Sequence, residues 1–554
     1  MPDPNILVSQ LNRAMELHAH GRLAEAVAQY DVVIGLNPNI GHAHANRGAA
    51  LYSLKRFDDA LASLDRAIQL EPGNAQAYLV RGTALNALGR FDEALRNFDR
   101  GIKIAPDIAE AHNNKGIALK ELNRLSDALA SFDRALTINP GLAPAYVSRG
   151  NVLHTMRRLD EALENYDRAA QLVPDSADAY NNKGSVLQEL GRADEALKCF
   201  DRAIALRPDY ANAYNNKGNA LQALRRLDDA LAAYDTAIRL KPDYAEALCN
   251  KGLCLLLMER FDGSWPLYEW RKAYAAPGAF PAYPEPLWSG REDITGKTLF
   301  IHAEQGLGDT IQFCRFAKLA EARGARIILS VQDSLVRLLR APAITIIGSK
   351  TPPPDFDFYI PLLSLPMAFG TDAHNIPAST PYLQAEPDLA QKWKDKIGTS
   401  GIRIGINWQG NRLAQMDVGR SFALKHLQPL SAIPDVRLIS LQKNTGVEQM
   451  RDAGMTVETL GEEFDSGPDA FVDTAAVMAN LDLVVTSDTA IAHLAGALGR
   501  PTWLALRYVP DWRWFLDRSD SPWYPGMKLF RQAQPGDLDS VFTRMAAELA
   551  SRKA

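Results

Sequence analysis

The chain has 554 residues, and this length suggests two to four domains. Hydrophobic residues make up 47% of the chain and charged residues 23%, which is typical of globular proteins. The formal net charge is −5 and the pI about 6.1. This balance argues against nucleic acid as a partner, because proteins that bind it carry an excess of basic residues.

Targeting and metal-binding patterns are missing from the sequence. The N-terminus has no basic start followed by an apolar core, and the densest apolar stretch, 253–258, is too short to span a bilayer. The four cysteines form no close pair, and no histidine cluster completes a zinc pattern. These features predict a cytoplasmic protein with reduced thiols, no metal and no membrane span.

A period of 34 residues dominates the first half of the chain. Prolines recur at this spacing from Pro38 to Pro242, and a basic residue followed by glycine recurs in register from Gly48 to Gly252. Alanines recur from Ala26, each with a ring or leucine four residues later. The pattern predicts helix hairpins in which glycine and alanine permit close approach, the ring fills the gap between repeats, and proline closes the second helix.

One such hairpin cannot bury its own apolar face, so neighbouring hairpins are expected to stack into a superhelix. In period and residue types the pattern resembles the tetratricopeptide repeat. The first repeat has Ala14 in place of glycine, which suits a terminal repeat. The eighth begins near Tyr244, and its second helix changes character over 261–271. We predict that this segment is a capping half-repeat that docks on the next domain.

A column of asparagines accompanies the repeat glycines. Asparagine stands two residues before most of them, whereas Val80 and Ser148 break the series; the predicted peptide-binding residues are Asn46, Asn114, Asn182, Asn216 and Asn250. Carboxamides at a regular pitch can bind the backbone of an extended peptide on the concave face. The column resembles the asparagine ladder of the O-linked N-acetylglucosamine transferases. Alternatively, these side chains bond neighbouring loops between repeats.

Helical periodicity stops in a stretch rich in proline and tyrosine at 275–286. Strands and helices alternate after it, with a break at 384–400, which predicts two facing Rossmann-like domains with parallel sheets. The expected domains are repeats with the capping half-repeat at 1–274, a linker at 275–295, and lobes at 296–390 and 391–554.

The α/β elements follow in chain order. The predicted strands are 298–301, 326–330, 358–360, 402–407, 436–441, 481–486 and 502–506. The predicted helices are 309–323, 334–340, 424–431, 474–479 and 489–498.

The first candidate site follows the first of these strands. Gly306 and Gly308 permit a tight turn from strand to helix, which would direct Asp309 towards the cleft. The alternative is that Asp309 is only an N-cap.

The second candidate site is the helix opened by Asp488, Thr489 and Ala490 at the end of a buried strand. Free amides and the partial positive charge at such a helix start can bind a diphosphate without a metal. His493 lies one turn further and could face the same ligand, although a lone histidine is more often structural.

Two further strand ends carry candidate donor-binding residues. Trp408 and Asn411 lie after one strand, followed by Arg420 and Ser421. Arg420 could neutralise phosphate by a two-pronged contact, or be a surface arginine. At the end of the next strand, Gln442 and Lys443 could touch a base or ribose.

From about Leu287 onward, the chain resembles the heptosyltransferase-like glycosyltransferases with two Rossmann-like lobes (GT-B type). The pieces that carry the resemblance are GLGDT at 306–310, INWQGN at 406–411, RS at 420–421, SLQK at 440–443 and SDTAIAHLAGALGRPTW at 487–503. DWRW at 511–514, SPWYP at 521–525 and LFRQ at 529–532 look like the bacterial branch that fuses this domain to tetratricopeptide repeats.

The resemblance implies an inverting, metal-independent transferase whose nucleotide sugar is a substrate and not a cofactor. Asp309 would be the general base, the helix at Asp488 would hold the departing diphosphate with Arg420, and 296–390 would bind the acceptor. Heptosyltransferases usually place a lysine after the third-motif strand, but here Trp408 and Gln409 follow Asn407. The donor stays open: ADP-heptose, UDP-N-acetylglucosamine or another.

Three hypotheses follow. In the first, the repeats hold a protein or peptide acceptor while the cleft transfers the sugar. In the second, the chain is a non-catalytic scaffold with a degenerate transferase domain. In the third, the enzyme acts on a surface glycan and the repeats recruit other proteins.

Overall fold

The structure is a computed structural model that describes residues 4–275, 278–410 and 419–553. Contacts within the chain divide it into two compact units, Met1–Lys217 and Gly218–Ala554. The first contains helix hairpins alone, while the second combines the last repeat helices with an α/β region. Among the described residues, no helix has both the length and the apolar character needed to cross a bilayer.

Helices alternate with short turns throughout the repeats, and each hairpin stacks on the next. The helices are α1 (Pro4–Ala19), α2 (Leu23–Leu36), α3 (Gly41–Ser53), α4 (Phe57–Leu70), α5 (Ala75–Ala87), α6 (Phe91–Ile104), α7 (Ala109–Glu121), α8 (Leu125–Ile138), α9 (Ala143–Thr155), α10 (Leu159–Leu172), α11 (Ala177–Glu189), α12 (Ala193–Leu206), α13 (Ala211–Ala223), α14 (Leu227–Leu240) and α15 (Ala245–Leu257). Two short helices follow, α16 (Ser264–Tyr268) and α17 (Arg271–Tyr274).

The repeat glycine lies against the ring of the second helix in its own hairpin. A β-carbon on Gly184 would lie 2.6 Å from Cε1 of Phe200, and one on Gly150 would lie 2.7 Å from Cε1 of Tyr166. Both rings are fully buried. The predicted close approach is present, but the ring packs across its own hairpin and not only between repeats.

The basic residue before each glycine links its hairpin to the preceding one. Arg81 on α5 pairs with Asp65 on α4 at 2.7 Å, and the same pair recurs one repeat earlier between Arg47 and Asp31 at 2.6 Å. These side chains are partly exposed, so each pair contributes only about 0–1 kcal/mol. Their regular recurrence fixes the register between neighbouring hairpins.

The α/β region contains two parallel sheets. The strands are β1 (Thr298–His302), β2 (Arg326–Val331), β3 (Ile344–Gly348), β4 (Phe358–Pro361), β5 (Ile402–Asn407), β6 (Val436–Ser440), β7 (Leu483–Ser487), β8 (Thr502–Leu506) and β9 (Met527–Arg531). Their orders are β3-β2-β1-β4 and β6-β5-β7-β8-β9, and every neighbouring pair runs parallel. The helices of this region are α18 (Leu307–Phe313), α19 (Arg315–Ala322), α20 (Leu365–Ala368), α21 (Pro387–Ile397), α22 (Gln428–Ser431), α23 (Val472–Met478), α24 (Ala490–Ala497) and α25 (Leu538–Lys553).

Several predicted elements need correction. The helix predicted at 334–340 is only a 3-10 turn at Asp333–Leu335, because the chain must reach β3 within a few residues. The helix predicted at 309–323 begins at Leu307 and is interrupted at Cys314. The sequence does not predict the strands β3 and β9 or the helices α20, α21 and α25.

Candidate active site

The carboxyl ends of strands from both sheets surround a cavity of about 750 Å³. Its wall consists of the β1–α18 loop, the ends of β5 and β6, the segment before α23, the start of α24 and residues 511–513. This volume lies within the range of sites that bind small molecules and cofactors. Parallel strands direct their loops to one edge, which explains why distant segments converge here.

Asp309 occupies the first turn of α18 and lines the cavity. One carboxylate oxygen, Oδ2, accepts a hydrogen bond from the Gly306 amide at 3.0 Å. The other, Oδ1, accepts from Nη2 of Arg513 at 2.6 Å. The N-cap residue of α18 is Gly306, so Asp309 is not the N-cap of the alternative interpretation; it is the third helical residue, bonds back to the N-cap amide and lines the cavity.

Arg513 joins α18 to the turn at 511–513. Besides Asp309, it contacts Gln312 on α18, with Nε 2.7 Å from Oε1, and Asp511, with Nη1 2.8 Å from Oδ1. The guanidinium is buried and lies over the Trp512 ring at 4.6 Å. Asp511 and Arg513 received no role from the sequence analysis, because they lie in a short turn without a glycine or strand signal.

The surroundings of Asp309 shift its proton affinity in opposite directions. Burial raises the pKa of Asp309 above its usual value, while the Arg513 guanidinium lowers it. Asp511 raises this pKa further, whereas the Gly306 amide and Arg420 lower it. The result is a carboxylate that accepts a proton more readily than a free aspartate does, as a general base requires.

The start of α24 forms an adjoining wall. Asp488 lies between β7 and α24 and pairs with Arg420, whose Nη2 is 3.1 Å from Oδ2. Thr489 is the N-cap residue, and its hydroxyl donates to Oδ1 of Asn407 at 3.0 Å. The first amides of a helix have no partner within that helix, so those at this wall can bind an anion.

Gly308 brings the two walls together. A β-carbon at this position would lie 3.0 Å from Cδ2 of His493 and 3.2 Å from Cα of Ala490. Any larger residue would therefore push α18 away from α24. The glycine that the sequence analysis assigned to a tight turn also permits this approach.

His493 lines the cavity but is almost fully buried. Nδ1 lies 3.0 Å from the Tyr524 hydroxyl, and the imidazole stacks on Trp514 with 5.4 Å between ring centroids. Burial above all, and then Arg513, lower the pKa of His493 well below its usual value. The imidazole is therefore neutral at physiological pH and adds no positive charge for a phosphate.

The structure brings most of the predicted donor-binding residues to the cavity; those in its lining are Gly306, Gly308, Arg420, Gln442, Lys443, Asp488, Thr489, Ala490 and His493. Trp408 and Ser421 lie outside the lining. Trp408 is fully buried in the core of the second sheet, and its Nε1 donates to the Gly446 carbonyl at 3.2 Å. Ser421 accepts from the Gly410 amide at 2.9 Å. Asn411 lies outside the described residues.

Gln442 braces the loops around it. Its Oε1 accepts from Nδ2 of Asn407 at 2.8 Å and from the Gln409 amide at 3.0 Å, while Nε2 donates to the Thr445 carbonyl at 2.9 Å. The neighbouring Lys443 donates from Nζ to the Phe464 carbonyl at 2.7 Å. A role for Gln442 in positioning these loops is therefore visible, and its contact with a base or ribose stays a prediction.

The asparagine column makes hydrogen bonds between repeats. Nδ2 of Asn182 on α11 lies 2.9 Å from Oδ1 of Asn151 on α9, and Nδ2 of Asn216 lies 3.3 Å from the Ser185 hydroxyl. Asn114 makes the corresponding contact with the Thr83 hydroxyl at 3.4 Å, and Asn46 forms a hydrogen bond with the hydroxyl of Tyr30. Asn250 is partly buried. These bonds fit the alternative interpretation, although they join helices and not loops; the peptide-binding role stays a prediction.

Within the described ranges, no group of three or more histidine, cysteine, aspartate or glutamate side chains could hold a metal ion. In comparisons with known proteins, models of the tetratricopeptide repeat match residues 42–74, 79–143, 141–209, 175–243 and 215–273. The model of glycosyltransferase family 9 (heptosyltransferase) matches residues 467–506, which include β7 and α24.

Protein FlbA from Caulobacter vibrioides is 29% identical over 316 residues, which are 51% of this chain and 52% of FlbA. The chain thus spans about half the length of this curated relative. Among solved structures, YrrB, described as a tetratricopeptide-repeat protein with an unusual peptide-binding site, is 26% identical with a TM-score of 0.29, covering 33% of this chain and 95% of YrrB. TTC0263, a tetratricopeptide-repeat protein of Thermus thermophilus, is 24% identical with a TM-score of 0.30, and the match covers 33% of this chain and 98% of TTC0263.

Proposed function

We infer that this chain is a glycosyltransferase, because its N-terminal region consists of tetratricopeptide repeats and residues 467–506 of its C-terminal α/β region match glycosyltransferase family 9. We propose that it is inverting and metal-independent, with two Rossmann-like lobes in the GT-B layout. It moves a sugar from a nucleotide-sugar donor to a hydroxyl of a protein or peptide held by the repeats.

One observation carries this proposal: the Asp309 carboxylate and the start of α24 line the same cavity. A transferase of this class needs a base for the acceptor hydroxyl and a positive site for the departing nucleoside diphosphate. The two adjoining walls supply these groups. Gly308 keeps the walls close enough to act on one substrate pair.

The reaction follows from this arrangement. Asp309 takes the proton of the acceptor hydroxyl while that oxygen attacks the anomeric carbon from the face opposite the diphosphate. The bond from the anomeric carbon to the diphosphate oxygen breaks, its electron pair stays on the diphosphate, and the configuration inverts. The amides at the start of α24 stabilise the negative charge that develops on the leaving group.

Arg420 is suited to assist the departure of the diphosphate. One of its guanidinium nitrogens, Nη2, contacts Asp488, and the residue lines the cavity. A guanidinium with one nitrogen in an ion pair can still bind phosphate through its other donors. Arg513 already forms ion pairs with Asp309 and Asp511, so we propose that it positions the general base and does not bind the phosphate.

The acceptor has a second candidate. The column asparagines bond side chains of neighbouring helices, as Asn182 does with Asn151 and Asn216 with Asn181, which leaves fewer of their donors and acceptors for a peptide. This observation favours a surface glycan as acceptor, with the repeats recruiting other proteins. A protein hydroxyl remains the first proposal, because stacked repeats of this kind offer a continuous surface to an extended chain.

The test uses the full chain with labelled nucleotide sugars and cell lysate. We expect label in protein bands, and ADP or UDP should raise the melting temperature because a ligand of the folded state stabilises it. Label confined to glycan would favour the second candidate. If neither nucleotide shifted the melting temperature and no sugar were transferred, the chain would be a scaffold and not an enzyme.

A further inference from the structure

The helices that follow the last repeat reach the loop that carries Asp309. Arg271, the first residue of α17, forms a bidentate ion pair with Glu304 in the loop between β1 and α18. Nε lies 2.9 Å from Oε2, and Nη2 lies 2.8 Å from Oε1. The two side chains are only 4% and 0% exposed, so this pair is fully desolvated.

Each charge of the pair has further partners. Oε1 of Glu304 accepts from the Leu363 amide at 2.9 Å, and Arg271 donates to the Ser364 hydroxyl at 2.9 Å and to Glu269 at 2.6 Å. A buried ion pair compensates for its lost hydration only when its geometry and remaining hydrogen bonds are satisfied. This network meets that condition and therefore restricts the loop to one conformation.

The same end of the repeats also contacts the segment that holds Arg513. The Trp512 ring lies 5.6 Å from the ring of Trp265, and the Phe515 ring lies 6.1 Å from that of Phe261. Aromatic pairs at these distances resist displacement. Residues 261–271, here called the capping segment, thus contact both the loop before Asp309 and the turn that contains Arg513.

We propose that Arg271 is a positioning residue of the transfer site, which acts through Glu304 to fix the loop that aims Asp309. This inference rests on the function proposed above. It makes the capping segment part of the transferase machinery and not merely an attachment for the repeats. A shift of about 1 Å in a reacting group can reduce turnover about 100-fold, so a loosened loop has a measurable cost.

The test compares Arg271→Met, Arg271→Lys, Glu304→Gln and the double variant Arg271→Met/Glu304→Gln in the full chain. The matched control is Arg207→Met, which removes another bidentate bridge whose partners, Asp178 and the Tyr210 ring, lie within the repeats. For Arg271→Met we expect hydrogen–deuterium exchange over 303–313 to accelerate at least about fivefold. We expect kcat to fall about 10- to 100-fold with the donor KM nearly unchanged.

The double variant separates positioning from simple stability. Removal of both charges leaves neither one buried alone, so the melting temperature should recover relative to Arg271→Met, while kcat stays low. Arg271→Lys keeps the charge without the two-pronged contact and should give intermediate turnover. The control should match the wild-type chain in exchange over 303–313 and in kcat.

Two results would overturn the inference. One is unchanged exchange over 303–313 in Arg271→Met, and the other is a double variant whose kcat recovers together with its melting temperature. The exchange measurement does not depend on turnover. If the wild-type chain transferred no sugar, the proposed function would fail, while exchange would still decide whether Arg271 fixes the loop.

Discussion

The repeat region and the α/β region bring their charged side chains together in different ways. In the repeats, a basic residue pairs with an aspartate 16 positions earlier, as Arg149 does with Asp133. In the α/β region, Asp309 and Arg513 are separated by 204 positions yet lie 2.6 Å apart. The repeat period thus predicts which charged residues pair within the repeats, whereas the ion pairs of the site depend on how the strands and loops of both sheets are arranged.

The energetic consequences also differ. Each repeat pair is partly exposed and worth about 0–1 kcal/mol, so stability is distributed over many equivalent contacts. In the pairs at the site, Arg513 and Asp488 are buried, so removal of the partner of either one leaves a buried charge uncompensated. Single substitutions should therefore affect turnover strongly at the site and stability gradually in the repeats.

The sharpest contrast should come from Asp309→Asn. The amide cannot accept the acceptor proton, so kcat should fall about 1,000-fold, within the usual contribution of general-base catalysis. Affinity for ADP or UDP, measured by calorimetry, should stay within about twofold of the wild-type value. Asp293→Asn, at an exposed carboxylate before β1, serves as the control. Unchanged turnover in Asp309→Asn would refute the assignment of the base.

Arg513→Met should produce the next largest effect. The guanidinium lowers the pKa of Asp309, so its loss raises that pKa. A base acts only when deprotonated, and the acidic limb of the pH profile of kcat/KM should therefore move to higher pH. Arg513→Lys, which keeps the charge, should move the limb less. If the acidic limb did not move in Arg513→Met, the proposal that Arg513 sets the pKa of the general base would be wrong.

In the repeats, Gly184→Ala should destabilise the chain by about 1–3 kcal/mol, because its β-carbon would overlap the Phe200 ring. Gly35 on α2 provides the matched control, since a β-carbon there meets nothing within 4 Å. Gly35→Ala should stabilise by about 0.5–1 kcal/mol through its helix propensity. Urea unfolding followed by helical circular dichroism measures both. Equal effects of the two alanines would contradict the packing described for the repeats.

The smallest effect is expected from alanine at Asn182, Asn216 and Asn250 together. If the column binds peptide, the KM for a peptide acceptor should rise about tenfold while donor hydrolysis is unchanged, since three lost hydrogen bonds at the lower end of about 0.5–1.5 kcal/mol each sum to about 1.5 kcal/mol. Assays with a peptide acceptor measure its KM, and assays with the donor alone measure donor hydrolysis. A lower melting temperature with unchanged acceptor kinetics would leave the column only its role between repeats.

Much of the fold can be predicted from the sequence, because repeat period and alternation of strands with helices are local signals. The hairpins and the parallel sheets are confirmed, whereas β3 and β9 were missed. Strands β3 (ITIIG) and β9 (MKLFR) are only five residues long, and a short apolar run of this kind cannot be assigned to a strand from periodicity alone.

The site is less evident in the sequence. Glycine-rich turns after strands indicate where Asp309 and α24 lie, but Arg513 follows no such signal. Only the spacing of Asp511 and Arg513 within an aromatic run could have suggested an ion pair. Trp408 illustrates the opposite difficulty: a tryptophan directly after a strand has the same local pattern whether it faces a ligand or, as here, the core.

The position of the capping segment also sets a rule for protein engineering. Since the helices after α13 belong to the same compact unit as both sheets, a hybrid with foreign repeats should exchange whole hairpins only through α12. A fusion made at the proline-rich stretch after Tyr274 would remove Arg271 and Trp265 and leave Glu304 as a lone buried charge. Substrate recruitment could then be reprogrammed by grafting hairpins onto a catalytic body that keeps its own final helices.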